Sequence, residues 1–445
     1  MMTTNIGSTF PSELNGARKN IPWGMFLFLI AVFYFAQPFD LFYSVRYLNR
    51  EEEIENVDVQ VEKIKFGNIG RRLALLSLGG FALVTLLRRR NQLKIKGTLS
   101  YLILIFVVWA FLSITWAEDP SLTLRRLVVL GMLCLGAWAL AERLSFYEIM
   151  EFAFFSGCLS LLLGIVCEVA LGTFRPLQSG YRFAGEMNPI FQAYNCGMIV
   201  VAALALAHAN RGGRYFLFAS ALVAVFFIVL TYSRGPMISV VAAAMGFWWL
   251  VTSKSSKTVY LFVVVIVGIL LYFAIGDDLV NYAQTAVLLG REDSTISTLT
   301  GRIPVWRECL KYVAHHPFLG YGYDSFWTVK HFKAVSGASD FLVPDVHSAF
   351  IDMMLGVGIP GAFTFVLILI MAIRKSTAFY KASSSYAYIF AFAFLLLVLI
   401  NNFLLSIQLQ AYIPSFVAMI ILVKLGFGDR PSIDQSGRTE RRVVY

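Results

Sequence analysis

The sequence contains few charged residues. Asp, Glu, Lys and Arg make up 14% of its 445 residues, whereas an average soluble domain has about a quarter. Hydrophobic residues make up 58% and are grouped in blocks of about 18 to 25, the length that crosses a hydrocarbon core of about 30 Å. A soluble globular protein is therefore excluded, and the pattern predicts a polytopic membrane protein.

Several signatures of nucleotide-dependent and metal-dependent enzymes are missing. The chain has no Walker-type phosphate loop, no Gly-x-Gly-x-x-Gly after a strand, and no Asp-x-Asp motif. An acidic pair at Glu118–Asp119 could hold a divalent cation, but we interpret it as two solvated charges. Of the five cysteines, only Cys309 lies outside the apolar blocks, so an internal disulfide is not expected. We expect neither a metal nor another cofactor.

The basic residues are distributed unevenly. Lys and Arg number 37 against 27 Asp and Glu, which gives a net charge of +10. The dense basic clusters lie in short connections between apolar blocks and in the C-terminal tail, as the positive-inside rule requires of cytoplasmic segments. We therefore expect both termini in the cytoplasm and no nucleic-acid partner.

The apolar blocks predict an all-α fold with about twelve transmembrane helices. The first block follows a polar leader with Arg18 and Lys19 and lacks a small-residue cleavage site, so we expect it to be retained. The chain is then divided into spans one to nine (1–275), a large periplasmic loop (276–348), spans ten to twelve (349–425) and a cytoplasmic tail (426–445). The predicted spans are 22–43, 73–87, 99–116, 122–141, 147–171, 191–209, 215–232, 236–251, 259–275, 349–373, 386–405 and 411–425.

The large loop is predicted to contain one amphipathic helix over residues 302–314, which Pro317 ends. Its apolar face would consist of Val305, Cys309, Tyr312 and Val313. Pro304 is tolerated because it falls in the first turn. Such a helix would lie on the membrane surface rather than cross it.

Four of the five histidines lie in this loop. His315, His316 and His331 lack the i, i+4 spacing with a supporting acid that marks a helical metal site. His347 begins the tenth span, where the positive end of a helix disfavours imidazolium and leaves a neutral ring that can accept a proton. A polar cap at the membrane interface explains the position of His347 equally well.

Arg234 is the most informative arginine. It lies in a connection of a few residues between two apolar blocks, close to a depth at which a charge costs about 2.5–3.5 kcal/mol on insertion scales. Residues of this kind usually face a polar cavity and a partner. The alternative is that the side chain extends to the outer headgroups.

Further arginines are expected at the same membrane surface, namely Arg182, Arg302 and the weaker candidates Arg125 and Arg126. A planar guanidinium donates paired hydrogen bonds to phosphate and stays charged when partly desolvated. The set therefore indicates an anionic ligand, and binding of ordinary lipid headgroups is the alternative.

Several short motifs follow one another along the chain. They are Trp116-Ala-Glu-Asp-Pro-Ser before Arg125–Arg126, Tyr181-Arg-Phe-Ala-Gly before Asn188–Pro189, Tyr232-Ser-Arg-Gly, Thr300-Gly-Arg-Ile-Pro-Val-Trp306, Pro317-Phe-Leu-Gly-Tyr-Gly-Tyr-Asp-Ser-Phe326, His347-Ser-Ala-Phe and Gly356-Val-Gly-Ile-Pro-Gly361. Taken together in this order, they resemble one family of membrane enzymes, the bacterial O-antigen ligase and O-antigen polymerase superfamily. Ser348 stands where this family more often has Asn.

The resemblance implies a glycosyltransferase of the bacterial inner membrane that works on the periplasmic face. It would transfer an oligosaccharide or polysaccharide en bloc from undecaprenyl diphosphate to an acceptor hydroxyl, without nucleotide or metal. Arg234 and Arg302 would bind the diphosphate with support from Arg182, and His347 would deprotonate the acceptor. Displacement from the opposite face predicts inversion at the anomeric carbon. The partners would be the lipid-linked donor, a saccharide or glycolipid acceptor, membrane lipids and other polysaccharide-assembly proteins.

Three functions are compatible with the pattern. We prefer a polymerase of exopolysaccharide or O-antigen repeats, because the departures at Ser348 and near Glu186 are easier to place outside the ligase branch. The second is an O-antigen ligase with lipid A–core as acceptor. The third is a transporter or flippase of lipid-linked saccharide, which predicts polar residues along the middle of several spans. The mid-span regions are mostly apolar and the candidate residues crowd one face, so an enzyme is favoured.

Overall fold

The computed structural model describes residues 23–36, 69–88, 94–178, 181–209, 213–252, 302–337, 346–403, 405–406 and 409–428. Within these ranges the chain forms helices and connections, without β-strands. The predicted ninth span at 259–275 lies outside the described residues. In chain order the helices are α1 Trp23–Ala36, α2 Ile69–Arg88, α3 Thr98–Leu112 with a 3-10 turn Ser113–Thr115, α4 Pro120–Arg143, α5 Phe146–Ala170, α6 Pro189–Ala209, α7 Arg214–Leu230, α8 Arg234–Val251, α9 Arg302–His315, α10 Val329–Gly337, α11 Ala349–Ser383, α12 Tyr386–Asn401 and α13 Ile413–Phe427.

Most of these helices are apolar enough to lie in a membrane. Seven of those described are also long enough to cross it, namely α2, α3 with its 3-10 turn, α4, α5, α6, α8 and α11. The shorter helices α1, α7, α12 and α13 are apolar as well. Helices suit this environment because they satisfy their own backbone hydrogen bonds where no water is present. The all-α membrane fold predicted from the sequence is confirmed.

Three helices differ from the predicted spans by four residues or more. α2 begins at Ile69 rather than at residue 73, α11 continues to Ser383 rather than ending at residue 373, and α12 ends at Asn401 rather than at residue 405. The segment 374–384, predicted to connect two spans, is therefore helical for nearly all of its length. The reason is that charged side chains do not break a helix, and Ser376 and Phe379 remain buried beyond the predicted end.

α6 lies at the centre of the bundle and is the most buried of the candidate spans. Small side chains let its neighbours approach closely, which is how helices pack where lipid supplies no hydrophobic driving force. A Cβ atom added to Gly197 would lie 2.7 Å from a methyl of Val240 in α8 and 3.0 Å from one of Leu397 in α12. α8 and α12 therefore both pack closely against α6.

The bundle has two chemically different ends. At one end, the Lys94 N–H donates to the Phe427 carbonyl at 3.0 Å, and the Lys424 ammonium donates to the Ala141 carbonyl at 2.8 Å. We call this the basic end, because further basic residues lie there. Arg88, Arg143, Arg214 and Lys381 are in the first or last turns of their helices, and Arg374 and Lys375 are in the last third of α11. The opposite end, where α4, α6, α8, α11 and α13 begin, is called the site end.

The described part of the large loop packs on the site end. α9 confirms the helix predicted over residues 302–314, and its buried residues Val305, Cys309 and Val313 are those of the predicted face. They pack against Tyr321 and Phe326 from the turn that follows. Burial raises the pKa of the Cys309 thiol to about 12, so this cysteine is a packed hydrophobe rather than a nucleophile.

A kink in α11 holds this turn in place. Gly358 has φ +74° inside the helix, a conformation that glycine adopts at little cost. The break leaves carbonyl and N–H groups of α11 free to bind the turn over residues 317–322. The Tyr321 N–H donates to the Leu355 carbonyl at 2.7 Å, and the Ile359 N–H donates to the Pro317 carbonyl at 2.8 Å.

Candidate functional site

The connection between α5 and α6 is anchored inside the bundle by a buried carboxylate. Glu168, in the last turns of α5, is fully buried. Its Oε1 accepts hydrogen bonds from the backbone N–H groups of Ala184 and Gly185, each at 2.8 Å, and its Oε2 accepts one from the Tyr181 hydroxyl. A buried carboxylate with three donors is stabilised in place, so the segment 181–185 is fixed against α5.

Two glycines let this segment approach α5 closely. Gly185 has φ +62°, and a Cβ atom there would lie 2.8 Å from the Cα of Gly164, in the second half of α5. Beyond it, Glu186 is also fully buried and accepts a hydrogen bond from the Ser160 hydroxyl at 3.0 Å. The backbone of this connection therefore reaches well below the ends of the neighbouring helices, which is tolerated only where protein surrounds it.

The same segment places Arg182 on the turn between α7 and α8. The Arg182 Nε donates to the Thr231 carbonyl at 2.9 Å, and one terminal nitrogen lies 3.3 Å from the Ser233 hydroxyl. The Phe183 N–H adds a bond of 2.8 Å to the Leu230 carbonyl. Ser233 immediately precedes Arg234, the first residue of α8. The structure therefore brings Arg182 to the turn that carries Arg234.

A second set of contacts connects the segments that carry Arg302 and His347. The Trp306 indole N–H, one turn after Arg302 in α9, donates to the carbonyl of Val346 at 2.9 Å. The next residue, His347, is half-buried. The Ser348 N–H then donates to the Ser406 hydroxyl at 2.9 Å. His347 is thus held between the first turns of α9 and the connection from α12 to α13.

The two sets of contacts lie at the same end of the bundle. The connection from α12 to α13 contacts both, because Ser406 binds the His347 segment and Tyr412 binds the start of α6. The Tyr412 hydroxyl donates to the Phe191 carbonyl and also contacts the Met187 sulfur at 3.7 Å. Met187 belongs to the connection that carries Arg182. The four main candidates from the sequence therefore all lie on segments at the site end.

The weaker candidates lie elsewhere on this end. Arg126 forms an ion pair with Asp324, with Nε and Oδ2 3.4 Å apart. Arg125 donates from Nε to the Ser121 carbonyl of its own helix at 3.4 Å. Both arginines are on α4, and these contacts are with α4 itself and with the turn after α9.

Backbone strain is concentrated at the site end. Five described residues other than glycine have positive φ, and four of them are at this end: Tyr232, Asp324, His347 and Leu409, with φ between 48° and 59°. Such conformations cost of the order of 1–3 kcal/mol each and cluster at binding and active sites. Tyr232 lies two residues before Arg234, so strain accompanies both the arginine turn and the histidine.

Glu118 and Asp119 have structural partners. The Asp119 carboxylate accepts from the Leu122 N–H at 2.9 Å, which caps α4 and lowers the pKa of Asp119. Glu118 pairs with Lys330 at 2.9 Å and with the buried ring of His331 at 3.4 Å, and the contact with Glu118 raises the pKa of Lys330. Among the described residues, no three His, Cys, Asp or Glu side chains are grouped as metal ligands.

The sequence pattern does not reveal the role of Glu168, although a carboxylate inside an apolar block is a signal of function or of a buried partner. The spans are also less apolar inside than expected, since Glu168, Gln192, Asn195 and Asn401 are all buried. All four lie in the half of their helices nearer the site end. This distribution agrees with one polar region at that end rather than with a polar path through the bundle.

One comparison with known proteins found a match to a family model. Residues 219–366 match the family model described as O-antigen ligase, and no curated protein matches the chain. The matched segment runs from α7 into α11 and contains Arg234, Arg302 and His347, whereas Arg182 precedes it. The match confirms the resemblance to the O-antigen ligase and polymerase superfamily, and it supports a membrane glycosyltransferase of this type.

Proposed function

We propose that this membrane protein transfers a saccharide en bloc from undecaprenyl diphosphate to an acceptor hydroxyl, and that Arg182, Arg234 and Arg302 bind the diphosphate. The observation that carries the proposal is the clamp between Arg182 and the α7–α8 turn, with its bond of 2.9 Å to the Thr231 carbonyl. This clamp joins a separate segment of the chain to Arg234, which lies inside the segment matched by the O-antigen ligase model.

The arginines suit a diphosphate that becomes more negative during the reaction. When the acceptor oxygen attacks the anomeric carbon, the bond between that carbon and the diphosphate oxygen breaks, and the electron pair leaves with the lipid diphosphate. Guanidinium groups already in position stabilise this charge more in the transition state than in the ground state. No metal is needed for this step when arginines supply the positive charge.

His347 acts as the general base. The acceptor hydroxyl gives its proton to the imidazole as the new glycosidic bond forms, and general-base catalysis of this kind is typically worth about 10²–10⁴-fold. Attack from the face opposite the diphosphate inverts the anomeric configuration. The contacts of His347 support the role, because the bonds of Val346 and Ser348 to α9 and to Ser406 hold its backbone on both sides.

Two classes of acceptor are compatible with this chemistry. We prefer a polymerase, whose acceptor is another lipid-linked repeat, over a ligase, whose acceptor is lipid A–core. We also propose that the site end faces the periplasm of a bacterial inner membrane and that both termini are cytoplasmic, because the basic end carries the cluster of Lys and Arg that the positive-inside rule assigns to the cytoplasm.

The test is reconstitution of the purified protein with undecaprenyl-diphosphate oligosaccharide and each acceptor in turn. Arg234→Ala, Arg302→Ala and His347→Ala should each abolish transfer without loss of membrane expression. Arg214→Ala, at the start of α7 on the basic end, is the matched control and should keep wild-type activity. Full activity in all three site variants would contradict the proposal.

A further inference from the structure

Two arginines of neighbouring helices lie together at the site end, on helices other than those next to Arg182 and Arg234. Arg71 is in the first turn of α2, and Arg126 is in the second turn of α4. Their charges lie close enough to interact with each other and with that of Asp324, in the turn after α9. Two cations therefore share one anion at this position.

The packing of α2 against α4 brings the two arginines together. Both helices begin at the site end and run to the basic end, so they are parallel. A Cβ atom added to Gly79 of α2 would overlap the Met132 side chain of α4, so these two residues lie at similar heights. Arg71 precedes Gly79 by eight residues, and Arg126 precedes Met132 by six. At a rise of about 1.5 Å per residue, the two arginines differ in height by less than one helical turn.

Asp324 neutralises only one of the two guanidinium groups. The Arg126 Nε lies 3.4 Å from the Asp324 Oδ2, a contact that leaves the two terminal nitrogens of Arg126 available. Within the described ranges, neither these nitrogens nor the Arg71 guanidinium has a hydrogen-bond partner. The Arg126 side chain is 33% exposed, so a ligand can reach it. Charges at the membrane edge are costly without a partner, which indicates that an anion completes the cluster.

The wider surroundings of the cluster keep the same sign of charge. Arg72 and Arg125 adjoin the two arginines in sequence and add positive charge. Asp119 caps α4, and Asp352 lines a small cleft together with Asp324 and accepts the Trp327 indole N–H at 3.1 Å. Four arginines thus accompany three aspartates, and the excess remains positive.

The cluster borders a surface that faces the hydrocarbon. Leu73 and Leu76 of α2 and Val128 of α4 are exposed, and they lie further along the two helices toward the basic end than the arginines. An apolar surface with cations at its outer edge suits a lipid, whose headgroup stays at the edge while its chains run along the helices. Guanidinium groups bind the phosphate of such a headgroup with charge-assisted hydrogen bonds.

We infer that Arg71 and Arg126 form a second phosphate site, which binds the phosphate group of a membrane lipid between α2 and α4. Asp324 holds Arg126 through Nε and leaves its terminal nitrogens for the ligand. Two kinds of lipid supply this chemistry, namely an anionic phospholipid and an undecaprenyl-diphosphate carrier. The carrier would be the acceptor of a polymerase, because that acceptor is itself a lipid diphosphate. The site does not depend on the proposed function, since lipid binding is measured without transfer.

The test is lipid binding to the purified protein in a neutral detergent. The probes are phosphatidylglycerol, undecaprenyl diphosphate and inorganic pyrophosphate, and all proteins carry Arg234→Ala to weaken the proposed donor site. Arg71→Gln and Arg126→Gln should each raise the Kd for at least one of the two lipids by about ten-fold, because each removes charged donors.

Asp324→Asn should have the opposite effect and lower the same Kd by about three-fold, because a carboxylate that repels the phosphate is removed. Asn tolerates the positive φ of this residue and keeps an oxygen that can accept from Arg126. A misfolded variant would not gain affinity, so this change separates a lost site from a damaged fold. A Kd that rises or stays the same in Asp324→Asn would contradict the inferred site.

Arg72→Gln is the matched control, because it removes the same charge from the next residue of α2, which is exposed. It should leave every Kd unchanged. An effect of the Arg71 and Arg126 changes on phosphatidylglycerol alone assigns the site to bulk phospholipid, and an effect on undecaprenyl diphosphate alone assigns it to the carrier. Unchanged Kd values for both lipids, an effect on pyrophosphate alone, or an equal effect of Arg72→Gln would overturn the site. None of these outcomes depends on whether the protein transfers saccharide.

Discussion

Arg182 donates a hydrogen bond of 2.9 Å to the carbonyl of Thr231, although the two residues belong to separate connections at the site end. The bond spans from the segment between α5 and α6 to the turn between α7 and α8. Because Thr231 is three residues before Arg234, the position of one proposed diphosphate-binding arginine depends on the other. The two arginines are therefore parts of a single structural unit.

Replacement of Arg182 should show whether this unit binds the donor. Arg182→Lys keeps the charge but loses the planar set of donors that reaches both Thr231 and Ser233. We expect the kcat/KM for undecaprenyl-diphosphate oligosaccharide to fall by about 10- to 100-fold, and to fall further in Arg182→Ala. Arg175→Ala is the matched control, because Arg175 is an exposed residue of the same connection and should leave kcat/KM unchanged. Equal activity of Arg182→Ala and the control would rule out the role.

Glu168 should act on transfer through the segment that it anchors. Glu168→Ala leaves the buried N–H groups of Ala184 and Gly185 without their acceptor, at a cost of about 1–3 kcal/mol for each unsatisfied group. We expect a lower midpoint of thermal unfolding in detergent and a higher KM for the lipid-linked donor. Glu168→Gln keeps one carbonyl oxygen as acceptor and should recover part of both properties.

The control for this series is Glu151→Ala, which removes a carboxylate from the same helix near the basic end. It should change neither the unfolding midpoint nor the KM by a comparable amount. A positioning role predicts that the donor KM rises in Glu168→Ala even at temperatures where the variant is fully folded. A loss of stability with an unchanged donor KM would show that the role of Glu168 is purely structural.

His347 should affect the chemical step and not donor binding. In His347→Gln the base is lost and the side chain stays polar, so we expect kcat to fall by about 10²–10⁴-fold. Binding of undecaprenyl diphosphate, measured by titration of the purified variant, should keep its wild-type Kd. His315→Ala is the control, because His315 is exposed at the end of α9. A substantial residual kcat in His347→Gln would assign the base to another group.

Much of the fold follows from hydrophobic length and period alone. α9 is an example, because Val305, Cys309, Tyr312 and Val313 share one face in a helix but not in a strand. The structure buries three of them and packs Tyr312 against the same cluster. The end of α11 is different. Arg374 and Lys375 mark the expected edge of the hydrocarbon, but the membrane boundary does not end a helix whose next turns are still packed.

The site is less accessible to sequence reasoning. The sequence indicates four candidates because they are charged or titratable residues at the ends of apolar blocks: Arg182, Arg234, Arg302 and His347. It does not indicate the roles of Glu168 and Gly185, because these roles depend on a segment that folds back into the bundle. The pairing of Arg182 with Thr231 joins residues far apart in the chain, which hydropathy and spacing cannot predict.

The orientation of the bundle can be tested by labelling introduced cysteines. Lys311→Cys lies on α9 at the site end, and Lys381→Cys lies near the end of α11 at the basic end. Since the positive-inside rule places the basic end in the cytoplasm, a membrane-impermeant maleimide should label Lys311→Cys in cells whose outer membrane alone is permeabilised. Lys381→Cys should react only after the inner membrane is opened. The reverse pattern would place the site in the cytoplasm.

Gly358 should be intolerant of any side chain. At φ +74° an L-residue is strained by about 1–3 kcal/mol, and a Cβ atom would also lie 2.2 Å from the Phe318 carbonyl oxygen, so backbone must shift. Gly358→Ala should therefore lower the unfolding midpoint and weaken transfer, because the kink holds the turn over residues 317–322 against α11 at the site end. Gly80→Ala, in α2 with nothing within 4 Å of its added Cβ, should be neutral or slightly stabilising. Equal midpoints for the two variants would show that the kink does not hold the turn.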